Sequence, residues 1–237
     1  THVYDAHTGE DLLPKVREMV KEKGFLPQDA EQRDQSWLDT YGMVQTIMAD
    51  FPEFLPNTYD QYYLYPDYKV SHLDPNFTRA DEVMAGREKR VFTECAEVIK
   101  EGKLGDKFHA ISDAHAEMMI KVAEAIAYNK NDRHILIVEN NGAIANMQDD
   151  AMVEVVCELG INGPRPMRVG NIPQFNLGLL VNQVSCEKLI VDAYFENSYQ
   201  KALEAFTLNR LINDAKKARK VLDALIEANK GMWPELR

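Results

Sequence analysis

The sequence predicts an α+β fold, mostly helical, with one small sheet. Three observations carry this. Apolar residues recur at helical spacing over most of the chain. Only two runs, 134–139 and 152–157, have the continuous apolar, β-branched character of buried strands. And 45% apolar against 27% charged residues, in 237, is the balance of a globular chain that can bury a core.

In chain order, Thr1–Asp5 reads as a strand entered partway, leading into the turn 5–9, and the chain is expected to be a piece of a longer protein. Leu12, Leu13, Val16, Met19 and Val20 line one face of a helix that Gly24 closes. A second helix is predicted over about 28–49, with Trp37, Tyr41, Val44 and Met48 on one stripe. Residues 51–77 hold Pro52, Pro56, Pro66 and Pro75 and five tyrosines, so they read as a long irregular segment of the kind that often carries function. Thr78 followed by Asp81 signals the start of a long helix whose face is Met84, Val91, Phe92, Cys95, Val98 and Ile99. Ser112 or Asp113 caps the next, which carries Met119, Val122 and Ile126. The two strands follow, joined by the turn-rich stretch 140–146. Three helices, roughly 176–192, 195–211 and 214–229, complete the chain, with Gly231 as the last C-cap. No repeat or Gly/Ser linker divides the sequence, which is therefore expected to be one domain over 1–237.

Lys and Arg number 27 against 38 acids, a net charge of −11 that disfavours nucleic-acid and anionic-membrane partners. No stretch approaches the roughly 18 apolar residues of a membrane span. Cys95, Cys157 and Cys186 are odd in number, contain no CxxC pair, and fit buried small hydrophobes in a reducing, cytoplasmic setting. Nucleotide-binding glycine loops, zinc spacings and the GxSxG elbow are absent, and the six histidines form no ligand-spaced pair.

The tyrosine-rich segment changes the picture. Leu55–Pro66 (LPNTYDQYYLYP) and Asp74–Glu88 (DPNFTRADEVMAGRE) resemble glycoside hydrolase family 4, most of all its 6-phospho-α-glucosidase branch. The likeness continues through Ala125–Asn129, Ile137–Asn146, Met152–Val155, Gln183–Leu189 and Glu227–Leu236, covering essentially the whole chain. Gln148 and Val156 depart from it, standing where proline is expected.

The resemblance implies the lactate dehydrogenase/family 4 C-terminal fold and an unusual glycoside hydrolysis. Most glycosidases use two carboxylates, and the NAD-dependent families are an exception. Here NAD takes a hydride from sugar C3, the resulting ketone acidifies the C2 proton, and a divalent metal, typically Mn²⁺, polarises the oxygens. A tyrosine removes that proton, the C1 substituent leaves, and water adds back. The implied substrates are 6-phospho-α-glucosides such as maltose 6′-phosphate, with 6-phospho-β-glucosides or a non-catalytic assembly or ligand-binding role as alternatives. The resemblance also implies that NAD and the metal are bound mainly by an N-terminal Rossmann domain that this chain lacks, and that His2 and His7 do not replace its metal-binding histidine.

Two residues inherit roles. Tyr59 aligns with the proton-abstracting tyrosine, and since a free phenol has a pKa near 10 it needs a nearby cation or metal to act as a base. The other reading is a packing tyrosine among Tyr62, Tyr63 and Tyr65. Arg79 aligns with an arginine that contacts the phosphorylated sugar, a task suited to a planar fork at a helix start. The other reading is a surface arginine paired with Asp81 or Glu82. Asn57 either positions substrate or caps its turn, Arg87, Lys89 and Arg90 read as a solvated face, and the 140–146 turn faces either the active site or a subunit contact. The broad stripe Leu177, Leu180, Val184, Leu189, Tyr194, Tyr199, Leu203 and Phe206 is expected to need covering, which suggests a homodimer or homotetramer.

Overall fold

The computed structural model describes residues 3–24, 35–103, 114–212 and 214–237. Three sequence expectations, the start of the second helix, the Ser112/Asp113 cap and His2, lie outside these residues. The chain divides into two compact units, Thr1–Pro75 and Asn76–Arg237, each described by itself.

In the first unit, the opening segment makes only an isolated antiparallel bridge between Tyr4 and Asp11, not a strand. The turn between them is clamped by Asp5, whose carboxylate accepts hydrogen bonds from the His7 and Thr8 amides at 2.9 and 2.7 Å. Helix α1, Leu13–Lys23, starts with Pro14 in its first turn and ends at Gly24, whose φ of 66° is the left-handed value that favours glycine. Helix α2, Gln35–Asp50, packs on it, and Val20, Val44 and Met48 form the core with Val16 and Leu55 at its margin. Met19, expected on the inward face, is exposed.

The tyrosine-rich stretch is not irregular throughout. It forms two short helices, α3 (Asp60–Leu64) and α4 (Pro66–His72). Pro66 breaks one and begins the other. Proline has no N–H to lose in a first helical turn, so the residue that reads as a breaker is here a starter.

The second unit opens on helix α5, Arg79–Glu101. The Thr78–Asp81 signal is a complete capping box: Thr78 Oγ1 accepts from the Asp81 amide at 3.4 Å and the Asp81 carboxylate accepts from the Thr78 amide at 2.8 Å. The apolar face predicted for this helix exists as a stripe, yet Met84, Phe92 and Ile99 are exposed, as is Cys95, which is therefore no buried hydrophobe. Helix α6, Ala114–Ala127, leads to the sheet, with Ala125 fully buried.

Strands β1 (Asp132–Glu139), β2 (Met152–Gly160) and β3 (Gly163–Pro166) form an antiparallel sheet in the order β1-β2-β3. The third was not foreseen, because four residues with prolines at 164 and 166 carry little strand signal. Pairing of Gly160 with Gly163 leaves a tight two-residue turn. A Cβ at Gly160 would lie 2.7 Å from Oδ1 of both Asn129 and Asn131, so this close approach requires glycine. Val156 lies on the central strand, opposite Ile135, and its carbonyl accepts from the Met167 amide at 2.9 Å. The inward residues Val153, Val155 and Cys157 bury against Val184 of the next helix and the 143–151 loop.

Three helices follow in the order predicted, α7 (Gln174–Glu196), α8 (Tyr199–Leu208) and α9 (Ala215–Ala228), with the first break at Asn197 and Ser198, beyond the 192–195 expected, and the second helix shorter at both ends. Their shared core is Ala193, Ala202, Leu203, Ala218 and Leu222. Most of the expected stripe is thus covered from within: Val184 and Leu203 are buried, while Tyr199 and Phe206 pack on that core. Leu180 and Tyr194 remain exposed. The last helix is capped at Asn229, two residues before the predicted Gly231. Among the described residues no helix is long and apolar enough to cross a membrane.

Candidate active site

Tyr59 sits at the N-terminal end of α3, in a turn built by its neighbours' side chains. Asn57 Oδ1 accepts a hydrogen bond from the Tyr59 amide at 2.9 Å, and the Asp60 carboxylate accepts one from the Asn57 amide at 2.8 Å. Of the two readings of Asn57, the geometry therefore shows the turn cap. Gln61, only 2% exposed, donates from Nε2 to the Thr58 carbonyl at 2.7 Å and so fixes the peptide just before Tyr59. Burial raises the Asp60 carboxyl above the usual carboxylate range, and the Asn57 amide opposes that rise. Inside this scaffold Tyr59 itself is 68% exposed, its ring 6.2 Å from that of Tyr62 and tilted by 32°. A side chain presented outward on a pinned backbone can meet a ligand without first being extracted from a core.

Its neighbours are engaged elsewhere. Tyr65 donates its hydroxyl to Asp50 at 2.5 Å, and burial followed by that carboxylate pushes its pKa up to about 12. It stays a neutral phenol at any working pH and is unsuited to act as a base. Tyr68 stacks on His72 with ring centroids 4.1 Å apart. Lys69, 8% exposed, places its ammonium 5.4 Å from the centre of the Tyr62 ring, a cation–π contact that supports the tyrosine cluster from below. Sequence reasoning missed Gln61 and Lys69. Both are polar residues on helices too short to show a periodicity, so no pattern marked them as inward-facing.

Arg79 belongs to the second unit, at the first residue of α5. Its guanidinium contacts the Glu82 carboxylate at 2.5 Å, with both side chains exposed. Asp81, the other candidate partner, is committed to the capping box with Thr78, which holds its carboxyl below the usual range. Lys89 and Arg90 are exposed, as a solvated face requires, with Arg90 3.9 Å from Glu94; the side chain of Arg87 is not described.

The 140–150 loop is organised by one residue. Asn140 is fully buried: Oδ1 accepts from the Ile144 amide at 2.7 Å, and Nδ2 serves the carbonyls of Ile144, Met147 and Gln148 at 3.0–3.2 Å. Asn146 extends the arrangement to residue 172, accepting from its amide at 3.0 Å and donating to its carbonyl at 2.9 Å. Among the described residues no group of three or more His, Cys, Asp or Glu stands together to hold a metal.

Comparison with known proteins gives one consistent relation. Residues 1–212 match the family model described as the family 4 glycosyl hydrolase C-terminal domain. The chain is 48% identical over 231 residues to maltose-6′-phosphate glucosidase MalH of Clostridium acetobutylicum, covering 96% of this chain and 52% of that protein. Among solved structures, it is 80% identical, with a TM-score of 0.92, to a 6-phospho-α-glucosidase from gut microorganisms in complex with NAD and Mn²⁺, covering 100% of this chain and 54% of that one. A second 6-phospho-α-glucosidase from gut microorganisms, in complex with NAD and glucose-6-phosphate, is 44% identical with a TM-score of 0.88, over 97% of this chain and 52% of that one. The chain thus spans about half the length of the relatives it matches.

Proposed function

The chain belongs to the family 4 glycosyl hydrolase C-terminal domains, and from that footing we propose that it is the substrate-side half of an NAD- and Mn²⁺-dependent 6-phospho-α-glucosidase. The observation that carries this reading is high identity along the whole chain to proteins of that activity. The substrate is a phosphorylated glucoside such as maltose 6′-phosphate. NAD supplies reversible oxidation of the sugar and the metal supplies polarisation of its oxygens, both held mainly by a preceding Rossmann domain that is the chain's first partner.

What this chain contributes is a placed base and an anion contact. Tyr59, outward on its pinned turn, takes the sugar C2 proton. The capping interactions of Asn57, Asp60 and Gln61 keep its backbone fixed while it does so. Arg79 leaves Glu82 to hold the phosphate, trading one exposed carboxylate for a dianion. Residues 1–237 act as one functional half, in an enzyme that works in the cytoplasm, where its three free thiols stay reduced, and that assembles as a homodimer or homotetramer.

Arg79→Ala is expected to lower kcat/KM on the phosphorylated substrate by roughly 10- to 150-fold, the worth of one ionic hydrogen bond. Any weak activity on the unphosphorylated glucoside stays nearly constant. Equal losses on both substrates would assign Arg79 to the fold instead.

The reading itself is tested with the full-length enzyme and chromogenic 6-phospho-α- and 6-phospho-β-glucosides, with NAD and Mn²⁺ present or withheld. Turnover of the α-substrate that needs both additions is expected. Turnover of the β-substrate alone replaces the specificity, and no turnover of either replaces the enzyme with a binding or assembly role. Residues 1–237 alone are expected to hydrolyse neither.

A further inference from the structure

The open edge of the sheet points to a second copy of this chain. Strand order makes β1 an edge strand, and no described residue outside the sheet hydrogen-bonds the backbone of 132–139. Exposed edges are normally blunted by proline, lysine, a bulge or an inward-pointing charge, because their unpaired N–H and C=O groups recruit other strands. Strand β1 has no proline, lysine or bulge: its eight residues pair with β2 without a break, and the middle four are Ile135, Leu136, Ile137 and Val138. Its outward face is uncovered as well. Ile135 and Ile137 are 58% and 69% exposed; on β2 Val156, opposite Ile135, is 40% exposed and Met152, opposite Glu139, is 56% exposed, with the exposed Glu154 between them opposite Ile137.

The pattern along that face selects the occupant. The outward residues of β1 are, in order, Arg133, Ile135, Ile137 and Glu139. An antiparallel pairing of β1 with its own copy, centred on Leu136, sets Ile135 opposite the copy's Ile137 and Arg133 opposite the copy's Glu139. By two-fold symmetry each contact occurs twice. Opposite charges thus meet at both ends, and apolar side chains meet in the middle. Shifting the register by one residue breaks all four matches and sets inward side chains against outward ones. Arg133 makes no ion pair among the described residues: Glu158, opposite it on β2, is held by Arg165 at 3.0 Å.

We propose that β1 is a homodimerisation strand, pairing edge to edge with its symmetry mate so that two three-stranded sheets become one continuous antiparallel sheet. This deepens the self-association proposed above and does not depend on the chemistry at Tyr59.

Charge reversal tests it, read by light scattering and sedimentation on the full chain. Arg133→Glu sets two like-charge pairs across the interface and is expected to raise the dimer dissociation constant about tenfold or more; Glu139→Arg does the same. Combining the two reversals restores opposite charges at both ends, so the double variant is expected to return to within about threefold of the parent. That rescue separates the pairing from a folding defect, which a second reversal would deepen. A parent that stays monomeric overturns both the pairing and the self-association. A dimer that ignores the single reversals, or is not rescued by the double one, overturns the pairing alone and moves the contact to another surface, such as the exposed stripe of α5.

Discussion

Tyr59→Phe in the full-length enzyme is expected to cut kcat by roughly 10²–10⁴-fold, the usual contribution of a general base, while KM changes little. The split follows from geometry. The hydroxyl hydrogen-bonds nothing among the described residues, so its removal orphans no partner, and the ring that packs 6.2 Å from Tyr62 remains. Stability is therefore expected to be unchanged by thermal melting, and the loss to be chemical. Tyr65→Phe is the matched control. It deletes a hydroxyl held by Asp50 and is expected to cost about 1 kcal/mol of stability with activity retained. Full activity in Tyr59→Phe would remove Tyr59 from catalysis.

Asn140→Ala is expected to be the most destabilising single change in the second unit, at about 3 kcal/mol or more. The loss leaves the buried Ile144 amide and Met147 carbonyl without their partner, while the Ile144 and Gln148 carbonyls keep backbone donors in Met147 and Ala151; each orphaned buried group costs about 1–3 kcal/mol. For a domain of this size that lowers Tm by roughly 6–12 °C. Asn140→Asp is expected to be no milder. It keeps the acceptor for Ile144 but turns a second oxygen toward carbonyls that need a donor. Asn141→Ala, on an exposed neighbour whose φ of 43° is left-handed, is expected to cost only about 1 kcal/mol, well below Asn140→Ala. A melting temperature for Asn140→Ala within about 2 °C of the parent would contradict this account of the loop.

What the sequence made legible was whatever is written locally or repeated. Thr78 and Asp81 announced a capping box because both halves of the device lie within one turn. The first two strands declared themselves through the apolar runs 134–139 and 152–157, each inside the strand that formed, and the final helices through stripes long enough to have a period. The failures share a cause in short range and in context. Helices α3 and α4 are five and seven residues long, less than two turns each, so periodicity had nothing to repeat. Gln61 and Lys69 are buried only because those turns fold back on α2 and on Tyr62. The stripe on α5 was read correctly as a stripe, but whether a stripe is covered is a property of its surroundings and not of its spacing. At the candidate site, Tyr59 and Arg79 were visible through resemblance. The clamp of Asn57, Asp60 and Gln61 that presents Tyr59 was visible only in three dimensions.

The most direct test of the central claim is to run the hydrolysis in D₂O and examine C2 of the released sugar. If Tyr59 takes the C2 proton and a proton returns there after water adds to C1, that position exchanges with solvent during turnover. Mass spectrometry and NMR of the glucose 6-phosphate product are then expected to show deuterium at C2 in most molecules, with incorporation lost alongside turnover in Tyr59→Phe. Product formed at the normal rate with protium retained at C2 would mean that no proton leaves that carbon, and would contradict the role assigned to Tyr59 and to this half of the enzyme.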